Sequence, residues 1–437
     1  MNELIAYKFR LYPDEKQMDI ISRICGCSRA VYNDLLGIVK IQLENNEKIK
    51  IPEVTSLYES RPYLKDVDSL ALANSKRNLN NALSDFFKSK NGKRKGKPLG
   101  FPMFKKKGVS KNSYTTNNQG KTIRIENNKI KLPKIGFILF KYHNTINGEI
   151  RSATITINKD KTVEISVLVL REKKQIIKKI INKEDLNIIG LDMSMENLYV
   201  GSDEEKTNFQ RRYRNSEKKR RRLAKSVSRK KLLPSGEFIF SKKWKKDVEI
   251  KQPSKNREKA RIKLAKFERY VSNSRKDYNH KLSRKLVDTK DVIVMEDVNM
   301  SDMSKCLKLG KSVHDLGFGQ FRTFLEYKSV NTDTLIVRVP KFFASSKICS
   351  HCNTKNQELK LSDRDWTCKT CGTTHNRDFN ASINLKNYFI KELNTVGTTE
   401  FKACGDETSG LRETLIKVLS LKQEGNIVRI TTDTTSF

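Results

Sequence analysis

Four cysteines near the C-terminal end stand in two pairs, Cys349-x-x-Cys352 and Cys368-x-x-Cys371, with fifteen residues between them. Thiolates in that spacing suit a closed tetrahedral zinc site, and with sulfur at all four positions none is left for a reactive water. Zinc there would hold a small ribbon together and would not catalyse. Seven residues past the second pair comes Asp378. Two further acids, Asp192 and Glu296, each end an apolar run, Ile188-Ile189-Gly190-Leu191 and Val292-Ile293-Val294-Met295. Three hard carboxylates at such places could hold magnesium and act on a phosphodiester, where charge developing on an anionic phosphate must be neutralised. An unpaired carboxylate at the end of a buried strand is costly, and a metal or a nearby Lys or Arg would offset that cost. Each acid alone also has an ordinary reading as a turn or cap residue, and Asp378 could equally cap a helix starting at Phe379. Asp297 should face away from Glu296 and is read as structural. The order Asp, Glu, four-cysteine ribbon, Asp points to a nuclease.

The charge balance points the same way. Lysine and arginine number 88 against 50 acids in 437 residues, a net charge of +38. The excess is spread along the chain, so a basic tail does not explain it, whereas a polyanion covered over a large surface does. No apolar run approaches the roughly 18 residues of a membrane span. Residues 1–10 lack a signal-peptide layout, so secretion is not expected. The other four cysteines, Cys25, Cys27, Cys306 and Cys404, are scattered and read as buried or free thiols in a reducing compartment. His351 and His375 flank the cysteine pairs without being needed as ligands. His143, His280 and His314 have no partner motif.

The periodicity outlines the elements that would carry these groups. Ile5, Tyr7, Phe9 and Leu11 alternate with polar neighbours, so 3–12 reads as a half-buried strand. Pro13 and Asp14 then open a helix to about Asn45, with Gln17 completing a capping box. A second helix spans roughly 68–89, with Leu72, Leu79, Leu83 and Phe86 inward. Lys76 and Asn80 share another stripe, which could touch nucleic acid or simply be solvated. The basic loop 88–107 is expected to order only on a polyanion. From about 121 the period becomes two. Ile123 and Ile125 face Ile130 and Leu132 across Asn127-Asn128, and 153–157 faces 163–170, so 115–170 reads as an all-β unit, a small barrel. Residues 171–184 form a charged linker. Beyond it, 188–192 and 292–296 are buried strands and 198–200 a further one. Between them 211–230 holds eleven Lys or Arg and one acid, a basic-faced helix too lopsided for salt-bridge lacing. Helical spacing resumes through Leu264, Phe267 and Val271, then Tyr278, Leu282 and Leu286. The strand–long helix–strand order gives a mixed α/β domain.

Nine segments, in order, carry a resemblance: AYKFRLYP (6–13), GCSRAVYN (26–33), GFPMFKKK (100–107), NKIKLPKIG (128–136), GLDMSMENLYVGSD (190–203), VIVMEDVNM (292–300), FGQFRTFLEYK (318–328), FFASSKICSHCN (342–353) and NRDFNASINL (376–385). Together they resemble the TnpB family, transposon-encoded RNA-guided DNA endonucleases of the OrfB type and relatives of type V CRISPR effectors. The tail GTTEFKACGD (397–406) resembles that family's poorly structured tail. The resemblance implies a multidomain α+β chain. Residues 1–12 and 113–180 would form a β-barrel wedge domain with a helical recognition insertion at 13–112. Residues 185–341 and 377–395 would form a RuvC nuclease domain of the RNase H fold, with a zinc ribbon inserted at 342–376 and a flexible tail at 396–437. Asp192, Glu296 and Asp378 fall on the family's catalytic acids, with magnesium as their cofactor. A guide RNA from the transposon end would pair with double-stranded target DNA, in the cytoplasm of a prokaryotic cell and on the nucleoid when bound. Lys76 and Asn80 would contact nucleic acid beside the target, and Arg377 would hold the scissile phosphate or else pair with a carboxylate. Two departures stand out. The first acidic motif reads Asp192-Met193-Ser194-Met195 where glycine is usual, and Asn376 stands where an acid is common. The competing functions are a nuclease-inactive RNA-guided regulator, which retention of all three acids argues against, and a protein-only transposase.

Overall fold

The computed structural model describes residues 2–395 apart from 95, 143–144, 173–179, 183–184, 205–206, 208, 210, 242–245, 298–312, 314, 331, 333, 341–342 and 361, together with a short strand at Ile427–Arg429. Cys306, Cys404, His143, His314 and nearly all of the expected tail lie outside the described residues. The chain forms two compact units, one of residues 1–174 and 230–266, the other of 175–229 and 267–437. No helix among the described residues is long and apolar enough to cross a membrane.

In the first unit, β1 (Asn2–Tyr12) is followed by α1 (Glu15–Glu44), two 3-10 turns and α2 (Ser69–Lys90). The α1 capping box is formed: Gln17 N–H donates to Asp14 Oδ1 at 2.8 Å and Asp14 N–H to Gln17 Oε1 at 3.2 Å. Such a cap stabilises the helix end by about 1 kcal/mol. Asp68 caps α2 through Leu70 N–H at 3.1 Å. Strands β2 (Asn112–Asn117), β3 (Arg124–Glu126), β4 (Lys129–Leu132), β5 (Gly136–Phe140), β6 (Glu149–Ile157) and β7 (Val163–Glu172) join β1 in an antiparallel sheet ordered β2-β6-β7-β1-β5-β4-β3. Asn127 and Asn128 take φ of 43° and 60°, the left-handed pair that a two-residue hairpin needs and asparagine tolerates. One apolar core joins Ile21, Ile24, Val31 and Leu35 of α1 to Leu72 and Leu79 of α2 and to Phe9, Ile130, Ile155 and Ile165 of the sheet.

The basic loop departs from expectation, because the protein itself holds much of it. Leu99 N–H donates to Ser89 Oγ at 2.9 Å, Phe101 packs edge-on against Phe86, and the Asn33 amide bonds both the N–H and the C=O of Lys105, at 2.8 and 2.9 Å. A composition reading counts its charges and glycines and cannot see these tethers.

The second unit opens with β8 (Ile180–Asn182), β9 (Ile188–Asp192), β10 (Val200–Gly201) and the basic helix α3 (Arg212–Ser228). The expected strand at 198–200 is reduced to Val200–Gly201, since Leu198 sits at φ 71° and its C=O accepts from Ser194 N–H in a tight turn. No residue of α3 is buried. Its first turn is tied down by the buried Asp315, which accepts from the N–H groups of Tyr213 and Arg214 at 2.9 and 3.2 Å, an anion at a helix N-terminus. The chain then gives the first unit a hairpin, β11 (Leu232–Ser241) and β12 (Lys246–Pro253). Helix α4 (Lys255–Thr289) belongs to the second unit from Phe267 onward. Strand β13 (Val292–Glu296), α5 (Phe318–Ser329), β14 (Leu335–Val339), a small β15–β16 hairpin (Asp365–Thr367, Thr374–Asn376) and α6 (Arg377–Thr395) complete it, and β17 (Ile427–Arg429) pairs with β8.

The sheet here is ordered β10-β9-β13-β14, with β13 parallel to both β9 and β14. Parallel strands covered on both faces read as continuous apolar runs, as these do. Ile189, Leu191, Ile293 and Met295 face Leu286 of α4 and Phe318, Phe321 and Leu325 of α5. Val292, Val294, Val337 and Val339 face Leu385, Phe389 and Leu393 of α6.

Candidate active site and cysteine metal centre

Alternation along a strand decides where the acids go. Side chains two residues apart share a face. Val294 faces α6, so Glu296 does as well, and Asp192 shares its face with Gly190, which lies directly under that helix. Parallel register sets Met295 beside Leu191, which brings Glu296 and Asp192 side by side at the ends of neighbouring strands. A Cβ on Gly190 would lie 2.0 Å from the Ser382 carbonyl oxygen and 2.8 Å from Lys386 N, so only glycine admits α6 at this depth. Asp378 precedes Ser382 by four residues, about 6 Å along the helix, and Asp192 follows Gly190 by two, about 7 Å along the strand. The two steps match, and Asp378 arrives beside Asp192.

The electrostatics report the meeting. The Asp192 carboxyl is pushed well above the usual carboxylate range, first by burial, then by the like charges of Glu296 and Asp378, with Arg377 opposing. Asp378 is held by two guanidiniums: Arg364 Nη1 donates to Oδ2 at 3.1 Å, and Arg377 Nε and Nη2 donate to Oδ1 at 3.1 and 3.0 Å. The Ser345 hydroxyl donates to Glu296 Oε1. Of the two readings left open for Asp378, capping is not the one adopted: α6 starts at Arg377, and Asn376 Oδ1 accepts from Phe379 N–H at 3.3 Å. Asp297 points away toward Arg322, as expected. The three carboxylates do not close on one point. Among the described residues the four cysteines are the group whose ligand atoms all lie within 4.8 Å of one another.

The cysteine centre is built from one turn used twice. Cys349 N–H donates to Thr354 O and Cys368 N–H to Thr373 O, both at 2.9 Å. The tight bends fall at Asn353, φ 61°, and Gly372, φ 70°. Thr354 Oγ1 lies 3.4 Å from Cys352 Sγ and Thr373 Oγ1 3.3 Å from Cys371 Sγ. The Thr373 hydroxyl and amide draw the Cys371 thiol down to about 5, while burial pushes Cys349 up to about 12. The Cys349–Cys371 and Cys352–Cys368 sulfurs are 3.7 and 3.5 Å apart. Tetrahedral zinc with bonds of ~2.3 Å sets its sulfurs ~3.8 Å apart, so this donor set fits that ion. His375, read as incidental, is buried with Nε2 3.0 Å from Cys349 Sγ. His351 is exposed.

Helix α6 joins the two centres. Asn380 and Asn384, both buried, grip the first cysteine turn and the loop before it. Asn380 donates to Ile348 O at 2.7 Å and accepts from Ser350 N–H at 2.9 Å, and Asn384 donates to Ser345 O and Ile348 O at 2.7 and 2.6 Å. Sequence reading missed Ser345, Arg364, Asn380 and Asn384. Two asparagines four apart, one helical turn from each other on the side of α6 away from its apolar face, were the available signal.

Other candidates are not part of this cluster. Lys76 and Asn80 belong to the first unit, where Lys76 pairs with Glu53 and Asn80 is exposed. Cys25 and Cys27 are buried in α1, and burial raises Cys25 to about 12, an inert thiol. His280 stacks on Phe324 at 3.8 Å between centroids.

Three family models match in chain order: a "Helix-turn-helix domain" of the OrfB/IS605 type over residues 1–48, the OrfB/IS605 "Probable transposase" over 171–307, and the "Cas12f1-like, TNB domain" over 318–385. The first description does not suit the fold, since 1–48 holds one strand and one long helix. A Streptomyces pristinaespiralis protein with the provisional name RNA-guided DNA endonuclease is 28% identical over 391 residues, 87% of this chain and 88% of that one. The Escherichia coli K12 protein provisionally named RNA-guided DNA endonuclease InsQ is 27% identical over 407 residues, 88% and 92% of the two chains. TnpB-like protein L79 of Acanthamoeba polyphaga mimivirus is 31% identical over 144 residues, 32% of this chain and 27% of that one. Matched in order by these models and nearly end to end by the two bacterial relatives, the chain is similar to the OrfB-type transposon proteins and, over about a third of its length, to a TnpB-like protein.

Proposed function

We propose that the chain is an RNA-guided, magnesium-dependent DNA endonuclease that cuts double-stranded DNA at Asp192, Glu296 and Asp378. The observation that carries this reading is the geometry that sets Asp192 and Glu296 at the ends of neighbouring parallel strands and packs α6, with Asp378, against Gly190; the raised Asp192 carboxyl, pushed up by burial and the two other acids and opposed by Arg377, agrees with it. Such a cluster is short of positive charge, and its donors are the hard oxygens magnesium takes. Bound magnesium would acidify a water and neutralise charge on the phosphate. Around it, Ser345 orients Glu296, and Gly190 and α6 set Asp378 against Asp192. Arg377 and Arg364 neutralise Asp378 in the free protein and stand where an incoming phosphate would need cations. The strand–helix–strand arrangement and the ribbon are consistent with a RuvC domain of the RNase H type, and the first unit with wedge and recognition regions that bind guide RNA and the target-adjacent motif. Sequence would be read by base pairing, with the protein gripping the heteroduplex by shape and backbone.

The test is to purify the chain from cells carrying its native downstream DNA, sequence the RNA that accompanies it, and present a matched plasmid with and without magnesium. Linearisation that needs both the RNA and magnesium is expected. RNA binding without a cut in either condition would favour a regulator, and RNA-free strand transfer of transposon ends would favour a transposase.

Zinc is assigned to Cys349, Cys352, Cys368 and Cys371 as a structural ion. Elemental analysis should find one zinc per chain. Cys349→Ala should lose it and open 345–376 to protease, because structural zinc sites of this kind derive most of their order from the metal. Full zinc content in that variant would contradict the assignment.

A further inference from the structure

A cavity of about 230 Å³ lies in the first unit among α1, α2 and β2, far from water-sized, since one water needs only about 15 Å³ on this measure. Its walls carry Arg29 on α1, Lys105 and Lys111 on the following segments, hydroxyls from both helices and β2, and no carboxylate. We propose that this cavity is a phosphate pocket, and that its occupant is a backbone phosphate of the nucleic acid the protein binds. The identity of the occupant rests on the function proposed above; the anion chemistry does not.

Three observations support it. The cations are unspent. Elsewhere in this unit arginines meet carboxylates, as Arg61 does Asp34 and Arg171 does Glu3. Arg29, by contrast, has a 3.5 Å contact with Asn112 Oδ1, and the half-buried Lys105 ammonium sits over the Tyr32 ring at 3.7 Å. Desolvating a cation without an anion is costly, which lowers the Lys105 ammonium from its ordinary range. A buried donor is also unspent. Ser28, 5% exposed, lines the cavity, and its hydroxyl has no partner. Ser75, across the cavity on α2, returns its hydroxyl to Ala71 O at 3.1 Å as helical serines usually do. Finally, the wall is built in advance. The paired bonds from Asn33 fix the Lys105 backbone, and the Ser110 hydroxyl accepts from Lys106 N–H at 2.9 Å. Fixed donors around a water-accessible hollow bind an anion with little further ordering.

The experiment uses the full chain without magnesium, so that a protein inactive as a nuclease still decides the question. Binding of a fluorescent 20-nucleotide RNA and a 20-base-pair DNA of arbitrary sequence is followed against salt. Arg29→Gln with Lys105→Gln should weaken binding of one of them about tenfold at 0.1 M salt and reduce its log–log salt slope by roughly 0.7 for RNA or 0.9 for duplex DNA, one phosphate contact. Lys111→Gln, at an exposed position that does not threaten folding, should act in the same direction severalfold. Inorganic phosphate at 10 mM serves as the other arm. The proposal is overturned if the variants keep wild-type affinity and slope for both nucleic acids, or if inorganic phosphate raises the wild-type melting temperature through these residues while nucleic-acid binding ignores them.

Discussion

Asp192→Asn is expected to lower guided cleavage by about a thousandfold, the loss typical of removing one preorganised electrostatic group, while raising the melting temperature of the magnesium-free protein. Activity and stability move apart because Asp192 is strained by what it serves. Its carboxyl lies in a half-buried place with Glu296 and Asp378 as neighbours. Asparagine keeps the shape and removes the charge. The pH dependence follows in sign. A carboxyl raised by folding binds its proton more tightly in the folded chain. Its contribution to stability is therefore full below the ordinary carboxylate range and is lost as pH rises through the raised value. The wild type should lose stability across that window and Asp192→Asn should lose less, as seen in melting curves at several pH values without divalent ions. Added magnesium should close the gap between the two at neutral pH. A variant that melts lower than wild type at every pH would remove the basis for the reading.

Gly190→Ala should disable the enzyme without touching an acid. The new methyl would meet the Ser382 carbonyl oxygen 2.0 Å away, a backbone atom that cannot swing aside. Helix α6 must lift, carrying Asp378, Asn380 and Asn384 with it. Overpacking of this kind costs about 3 kcal/mol, and a displacement near 1 Å at a reacting centre costs about a hundredfold in rate. The measurement is cleavage by purified protein with its RNA, alongside a melting curve. Unchanged cutting by a folded Gly190→Ala protein would show that α6 need not sit against β9. Ser382→Gly in the same background should not rescue it, because the clash is with main chain and not with the serine side chain.

The sequence made legible whatever depends on short-range pattern. Alternation outlined β1, the Asp14–Gln17 box fixed the start of α1, and Asn127-Asn128 marked a hairpin with the required left-handed pair. Apolar runs ending in acids marked β9 and β13, and cysteine spacing marked the ribbon turns. What stayed hidden depends on partners distant in sequence. Arg364 meets Asp378 across the ribbon, Ser345 reaches back to Glu296, and Gly190 matters because of Ser382, far along the chain. Leu198 illustrates a local failure: its apolar neighbours suggested a strand, but its left-handed backbone makes a turn. Charge-rich 88–107 suggested a free loop because composition carries no record of Asn33 holding Lys105.

Strand β16 ends at Asn376 and α6 begins at Arg377, with no spare residue between them. The cysteine segment is therefore gripped by α6 at its start and keyed to the same helix at its end. An α-helix turns about 100° per residue, so a single residue gained or lost at that junction would rotate Asp378 off the sheet while leaving every metal ligand in place. The middle of the segment, around 355–360, feeds no helix and carries no such phase. Length could drift there over generations without reaching the chemistry, whereas the junction can change only in steps that return the helix to the same face. The phase of α6 thus constrains the last few residues of the segment more tightly than its middle, much as a key may have any handle but not any teeth.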